Sequence, residues 1–135
     1  MDKAKLEALL DRVERAIGWD SGIDKDILRC LGFTWRGMDY WHHDNRTMWK
    51  GCINFTASID AALALVDRLK PISPMVSHEL THSLARDGEE CFNFRIRVYS
   101  DEEGEAPTVY WATSFSSWPI AILAALLKAL IAREA

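Results

Sequence analysis

His78, Glu79 and His82, in the run His78-Glu79-Leu80-Thr81-His82, have the spacing of a zinc hydrolase motif. On a helix, histidines at i and i+4 share one face, and the glutamate between them can activate a metal-bound water. That chemistry needs a helix, and the surrounding residues argue for a strand. Val76, His78, Leu80, His82 and Leu84 alternate with Ser77, Glu79, Thr81 and Ser83, a period of two. On a strand the two histidines lie ~13 Å apart along the chain, too far to share one zinc. Pro74 and the turn residues Arg86-Asp87-Gly88 leave room for only a short element, and serine and threonine are indifferent helix formers. No third ligand is placed, since Ala85, Arg86, Asp87 and Gly88 stand where a longer zinc motif carries a glycine and a third histidine. The residues therefore predict two histidines on a half-buried strand face, with a zinc-dependent hydrolase as the alternative.

A second candidate lies between positions 35 and 49. Trp35, Arg36, Tyr40, Trp41, His42 and His43 form an aromatic and basic segment suited to a planar, anionic ligand. Aromatic faces stack on bases, and arginine adds a cation–π or phosphate contact. The plainer alternative is an aromatic loop covering the sheet. His42-His43-Asp44 alone is weak evidence for metal. The sequence assigns no catalytic residue, metal ligand or cofactor. The three cysteines, Cys30, Cys52 and Cys91, show no CxxC spacing and no neighbouring base; Cys52 and Cys91 fit apolar strands as core thiols. Tryptophans 19, 111 and 118 are expected to pack rather than recognise.

The elements that must position these residues follow from periodicity. Leu6, Leu9, Leu10, Val13 and Ile17 mark a helix over 3–17, stopped by Gly18. Ile23, Ile27, Leu28 and Leu31 mark a second over 24–31, with Gly32 as its C-terminal cap. A strand is expected over 48–55, then a helix capped by Ser58 and ended by Pro71. Strands follow over 76–84, 91–100 and 108–113, joined by turns at Arg86-Asp87-Gly88 and at the acidic tip 101–105. Ser117-Trp118-Pro119 opens a last helix over 120–133. The expected fold is one α+β domain over 1–135: an antiparallel sheet of about four strands packed between helical layers, an α/β/α sandwich.

Composition narrows the partners. The 135 residues are 49% apolar and 27% charged, as in an ordinary globular domain. The net charge of −4, with no basic stripe, disfavours duplex nucleic acid. The apolar run 120–132 carries Lys128 and is too short to cross a membrane, so no membrane partner is expected. Unpaired cysteines and the lack of a charged-then-apolar leader predict a cytoplasmic protein.

Three stretches carry a family resemblance. They are Ile27-Leu28-Arg29-Cys30-Leu31-Gly32, the strand-to-helix segment Thr56-Ala-Ser-Ile-Asp-Ala-Ala-Leu-Ala-Leu-Val66, and the alanine-rich last helix entered through Ser117-Trp118-Pro119. With these the chain resembles the phage ABA-sandwich domain family of small phage and prophage proteins. The resemblance implies a sheet between helical layers in a protein of a bacterial host's cytoplasm, and it implies no catalytic residue. It departs at Trp118, where a small capping residue is usual, and in the aromatic segment. The reading that follows is a non-enzymatic accessory protein that binds a host protein or a small nucleotide-like ligand, with antagonism of host defence as the expected role and a homo-oligomer as an open alternative to a monomer. A structural or assembly role is a further alternative.

Overall fold

A computed structural model describes residues 2–35, 41–43, 47–49, 53–68, 76–84, 86–99, 104 and 106–133. The chain runs through α1 (Lys3–Arg15), α2 (Ser21–Cys30), β1 (Thr34–Trp35), β2 (Trp41–His43), β3 (Thr47–Trp49), α3 (Ile59–Arg68), β4 (Val76–Leu84), β5 (Glu90–Val98), β6 (Thr108–Ser114) and α4 (Trp118–Arg133). The α+β class is as expected. The main sheet, however, has three antiparallel strands in the order β4-β5-β6 rather than about four. Of the strand expected over 48–55, the described residues form β3 at Thr47–Trp49, which pairs with β2 in a separate small sheet, β1-β2-β3, and residues 50–52 lie outside the described residues. Residues 55–57 turn instead, with Ala57 and Ser58 N–H both donating to the Asn54 carbonyl.

Local chemistry sets most boundaries. Asp2 caps α1 by accepting from Ala4 N–H at 2.9 Å. Asp20 caps α2 by accepting from Ile23 N–H at 3.0 Å, so that helix starts at Ser21, three residues before the expected start at 24. It ends in a Schellman turn: Gly32 has φ +89°, and Phe33 N–H donates to the Leu28 carbonyl at 2.9 Å. Ser58 Oγ accepts from Ala61 N–H at 3.2 Å, the cap expected for α3. The hairpin between β4 and β5 turns on Gly88, with φ +86°, beside Asp87 accepting from Glu89 N–H. The acidic tip 101–105 lies outside the described residues except for Gly104, which has φ +87°.

Strand register sorts the sheet into two faces. Leu80, Phe94 and Ala112 stand side by side across the three strands, as do His78, Ile96 and Tyr110. α4 packs against β5 and β6 on this apolar side, and α1 and α3 pack against α4. Sandwiched in this way, α4 is apolar nearly all round, from Pro119 through Leu127. Phe94, Phe55, Leu65 and Leu123 are fully buried in the core so formed. Among the described residues both helical tiers lie on this side. The other face carries a polar ladder in which Asn93 Nδ2 donates to Ser83 Oγ and Thr113 Oγ1 donates to Asn93 Oδ1. Ile17 falls beyond the end of α1 and is 91% exposed, off the face that periodicity gave it. No helix among the described residues is long and apolar enough to cross a membrane.

Candidate functional site

The zinc-like motif forms strand β4, so its two histidines are displaced along one strand face and not stacked on a helix turn. His78 lies against Phe94, with ring centroids 5.7 Å apart. His82 lies against Phe92 at 5.2 Å and faces Trp118 at 6.4 Å. Glu79 points to the opposite face, where its carboxylate accepts from Arg97 at 3.1 Å. A glutamate turned away from both imidazoles cannot activate water between them.

The aromatic segment is divided by the fold. Trp41 begins β2 and is only 3% exposed, so it belongs to the core and its faces are occupied. Trp35 pairs with it across β1 and β2, with ring centroids 5.6 Å apart, and is 48% exposed. Trp35 is thus the aromatic surface that a ligand could reach. His42 and His43 lie in β2, paired with Met48 and Thr47, and Arg36 and Tyr40 fall outside the described residues. Trp19 and Trp111, expected to pack, are 67% and 59% exposed; Trp118 packs, edge-on to Phe92. Cys91 is buried as expected, and Cys52 lies outside the described residues.

Next to Trp41 the structure adds residues that the sequence reading missed. The Arg29 guanidinium lies 5.7 Å from the centre of the Trp41 ring. Arg29 also lines an open groove between α1 and α2, together with Lys5, Arg12, Asp26 and Cys30, with a cavity volume of about 360 Å³. That volume is in the range of small-molecule sites. Asp26 sits between two guanidinium groups, accepting from Arg12 at 2.6 Å and from Arg29 at 2.8 Å. The Arg12 hydrogen bond, aided by Arg29 and opposed by partial burial, holds its carboxyl below the usual aspartate range. Each guanidinium gives Asp26 one nitrogen, which leaves further N–H donors for an anion. Lys5, Arg12 and Arg29 outnumber the single carboxylate, so the groove is locally cationic on an acidic protein. Burial and the Asp26 charge push the Cys30 thiol up, which keeps it protonated and poorly nucleophilic near neutral pH. The residues lining the groove offer donors for an anion, and the thiol among them is not activated.

Spacing could have pointed to this groove. Asp26 and Arg29 are i and i+3 on α2, a pair that shares a helix face. The bond to Arg12, fourteen residues away, depends on how α1 and α2 pack. No family model, curated protein or solved structure matches the chain.

Proposed function

We propose that this protein acts by binding, without catalysis, and that its ligand is a small, planar, anionic molecule of nucleotide-like chemistry held at the α1–α2 groove. The observation that carries this reading is the chain of contacts from exposed Trp35 through the buried Trp41 ring to Arg29 and on to Asp26 and Arg12, which sets an exposed aromatic face near a cationic groove. An anionic group would take the guanidinium donors that Asp26 leaves unused, and a base or other flat ring would lie on the exposed face of Trp35. The resemblance to the phage ABA-sandwich family extends the reading to an accessory protein of phage or prophage type in a bacterial cytoplasm. Sequestering such a ligand there would be one way to antagonise host defence.

The test is calorimetric titration with a panel of mono- and dinucleotides, comparing the wild type with Arg29→Ala. Hydrogen bonds to a charged group contribute about 1.5–3 kcal/mol, so the variant should bind roughly tenfold or more weakly. Arg29 is surface-placed and Asp26 keeps Arg12, so the fold should survive. Nucleotide binding that is equally tight in Arg29→Ala would refute the site. Trp41→Ala is the wrong probe, because it empties a core position.

A further inference from the structure

The histidines of β4 are too far apart to share a metal within one chain, yet the strand that holds them is nearly palindromic. Read outward from Leu80, the sequence gives Glu79 and Thr81, His78 and His82, Ser77 and Ser83, Val76 and Leu84. β4 pairs with β5 along one edge only, and among the described residues its other edge has no strand beside it. The far edge of the sheet is partly closed: Lys128 reaches from α4 and donates to the Trp111 carbonyl of β6 at 3.2 Å. Open edges invite another strand, and charge is the usual deterrent. Nine-residue β4 carries one charged side chain, Glu79, and Arg97 of the same chain engages it.

We infer that two copies of this chain pair through their β4 edges, antiparallel about Leu80, and that the pairing builds two equivalent sites for a zinc-class divalent metal. Residues directly opposite in an antiparallel pair point to the same face, so a strand meeting its own copy across a two-fold axis pairs about one residue. Leu80 is the centre of the nine, and pairing about it is the register that leaves none of them unmatched. It sets Glu79 against the second copy's Thr81, serine against serine and Val76 against Leu84, with no like charges opposed. It also sets His82 of one copy against His78 of the other, and cross-strand neighbours have Cβ atoms about 4.5–5.5 Å apart. Both histidines are exposed, on the outer strand of the face that α4 packs against.

The third ligand is already beside the pair. Glu90 Oε1 lies 3.8 Å from His82 Nε2. Two ligands each about 2.0–2.1 Å from a tetrahedral zinc are separated by a little over 3 Å, so a small side-chain rotation suffices. Each site would then hold His82 and Glu90 from one copy and His78 from the other. Within a single chain, no group of three such residues gathers among those described. The site is incomplete without the second copy.

Native mass spectrometry with added zinc sulfate tests this directly. The wild type should appear as a dimer carrying two zinc ions. His78→Ala and His82→Ala should each lose the zinc-dependent dimer while keeping a native circular dichroism spectrum. An equimolar mixture of the two variants should recover a heterodimer carrying one zinc. In that heterodimer, one site keeps His82 and Glu90 from the first chain and His78 from the second, whereas the other site loses both histidines. Zinc held by the monomer, a wild type with no zinc-dependent dimer, or a mixture no better than its components would each overturn the inference.

Discussion

Replacing Asp24 separates two effects that the fold combines in one buried side chain. Asp24 lies in the first turn of α2 and is 1% exposed, and its Oδ1 accepts from the Thr56 N–H at 2.8 Å. Thr56, equally buried, accepts at its Oγ1 from Asp20 N–H at 2.8 Å, so the node ties the start of α2 to the turn before α3. Asp24→Ala leaves the Thr56 N–H without its partner, a desolvation cost of about 1–3 kcal/mol. For a chain of this size that lowers the melting temperature by roughly 4 °C per kcal/mol, or ~4–12 °C in all. Asp24→Asn keeps an acceptor for the N–H and removes the buried charge, so it should stay within about 1 kcal/mol of the wild type. A pH series adds a second signature. Burial, the largest influence, raises the Asp24 pKa against the pull of its Thr56 and Trp19 hydrogen bonds. The folded state therefore holds the proton more tightly than the unfolded chain. Stability from this group falls as pH rises from about 3.9 through the higher folded value, and stays lower above it. Thermal melts followed by circular dichroism from pH 3 to 8 should show that fall in the wild type and not in Asp24→Asn. Equal losses in the Asn and Ala variants, or parallel pH curves for wild type and Asn, would refute the account.

Two further outcomes follow from the core and the groove. Phe94, fully buried at the centre of β5 between Leu80 and Ala112, should cost about 3–5 kcal/mol when truncated to alanine, read as a lower urea midpoint. Asp26 behaves oppositely to Asp24: its folded pKa is depressed, so its contribution is present above the unfolded value and lost as pH falls through the folded one. Asp26→Asn should therefore flatten the acid limb of stability against pH, measured by urea midpoints below pH 5.

Much of the architecture was legible because it is written locally. Strict alternation over 76–84 identified β4 as a strand and disposed of the helical zinc reading of its histidines. Gly32, Ser58, Gly88 and Pro119 stand at the cap, turn and first-turn positions their chemistry suits. The errors fall where the outcome depends on partners distant in sequence. The segment over 48–55 has apolar residues fit for a strand, but among the described residues none of it joins the main sheet, and Phe55 enters the core from a turn. Trp41 and Trp35 look alike in sequence, and packing buries one and leaves the other half-exposed.

What the sequence determined by itself is the α+β class, the hairpin turn between β4 and β5, and most helix and strand positions. These rest on backbone propensity, side-chain period and capping, each acting within a few residues. Tertiary structure alone decided that Asp26 bridges Arg12 and Arg29, that Arg29 lies over Trp41, and that Asp24 reaches Thr56 thirty-two residues away. These contacts join groups whose separation depends on how whole elements pack, and no short-range pattern encodes that distance.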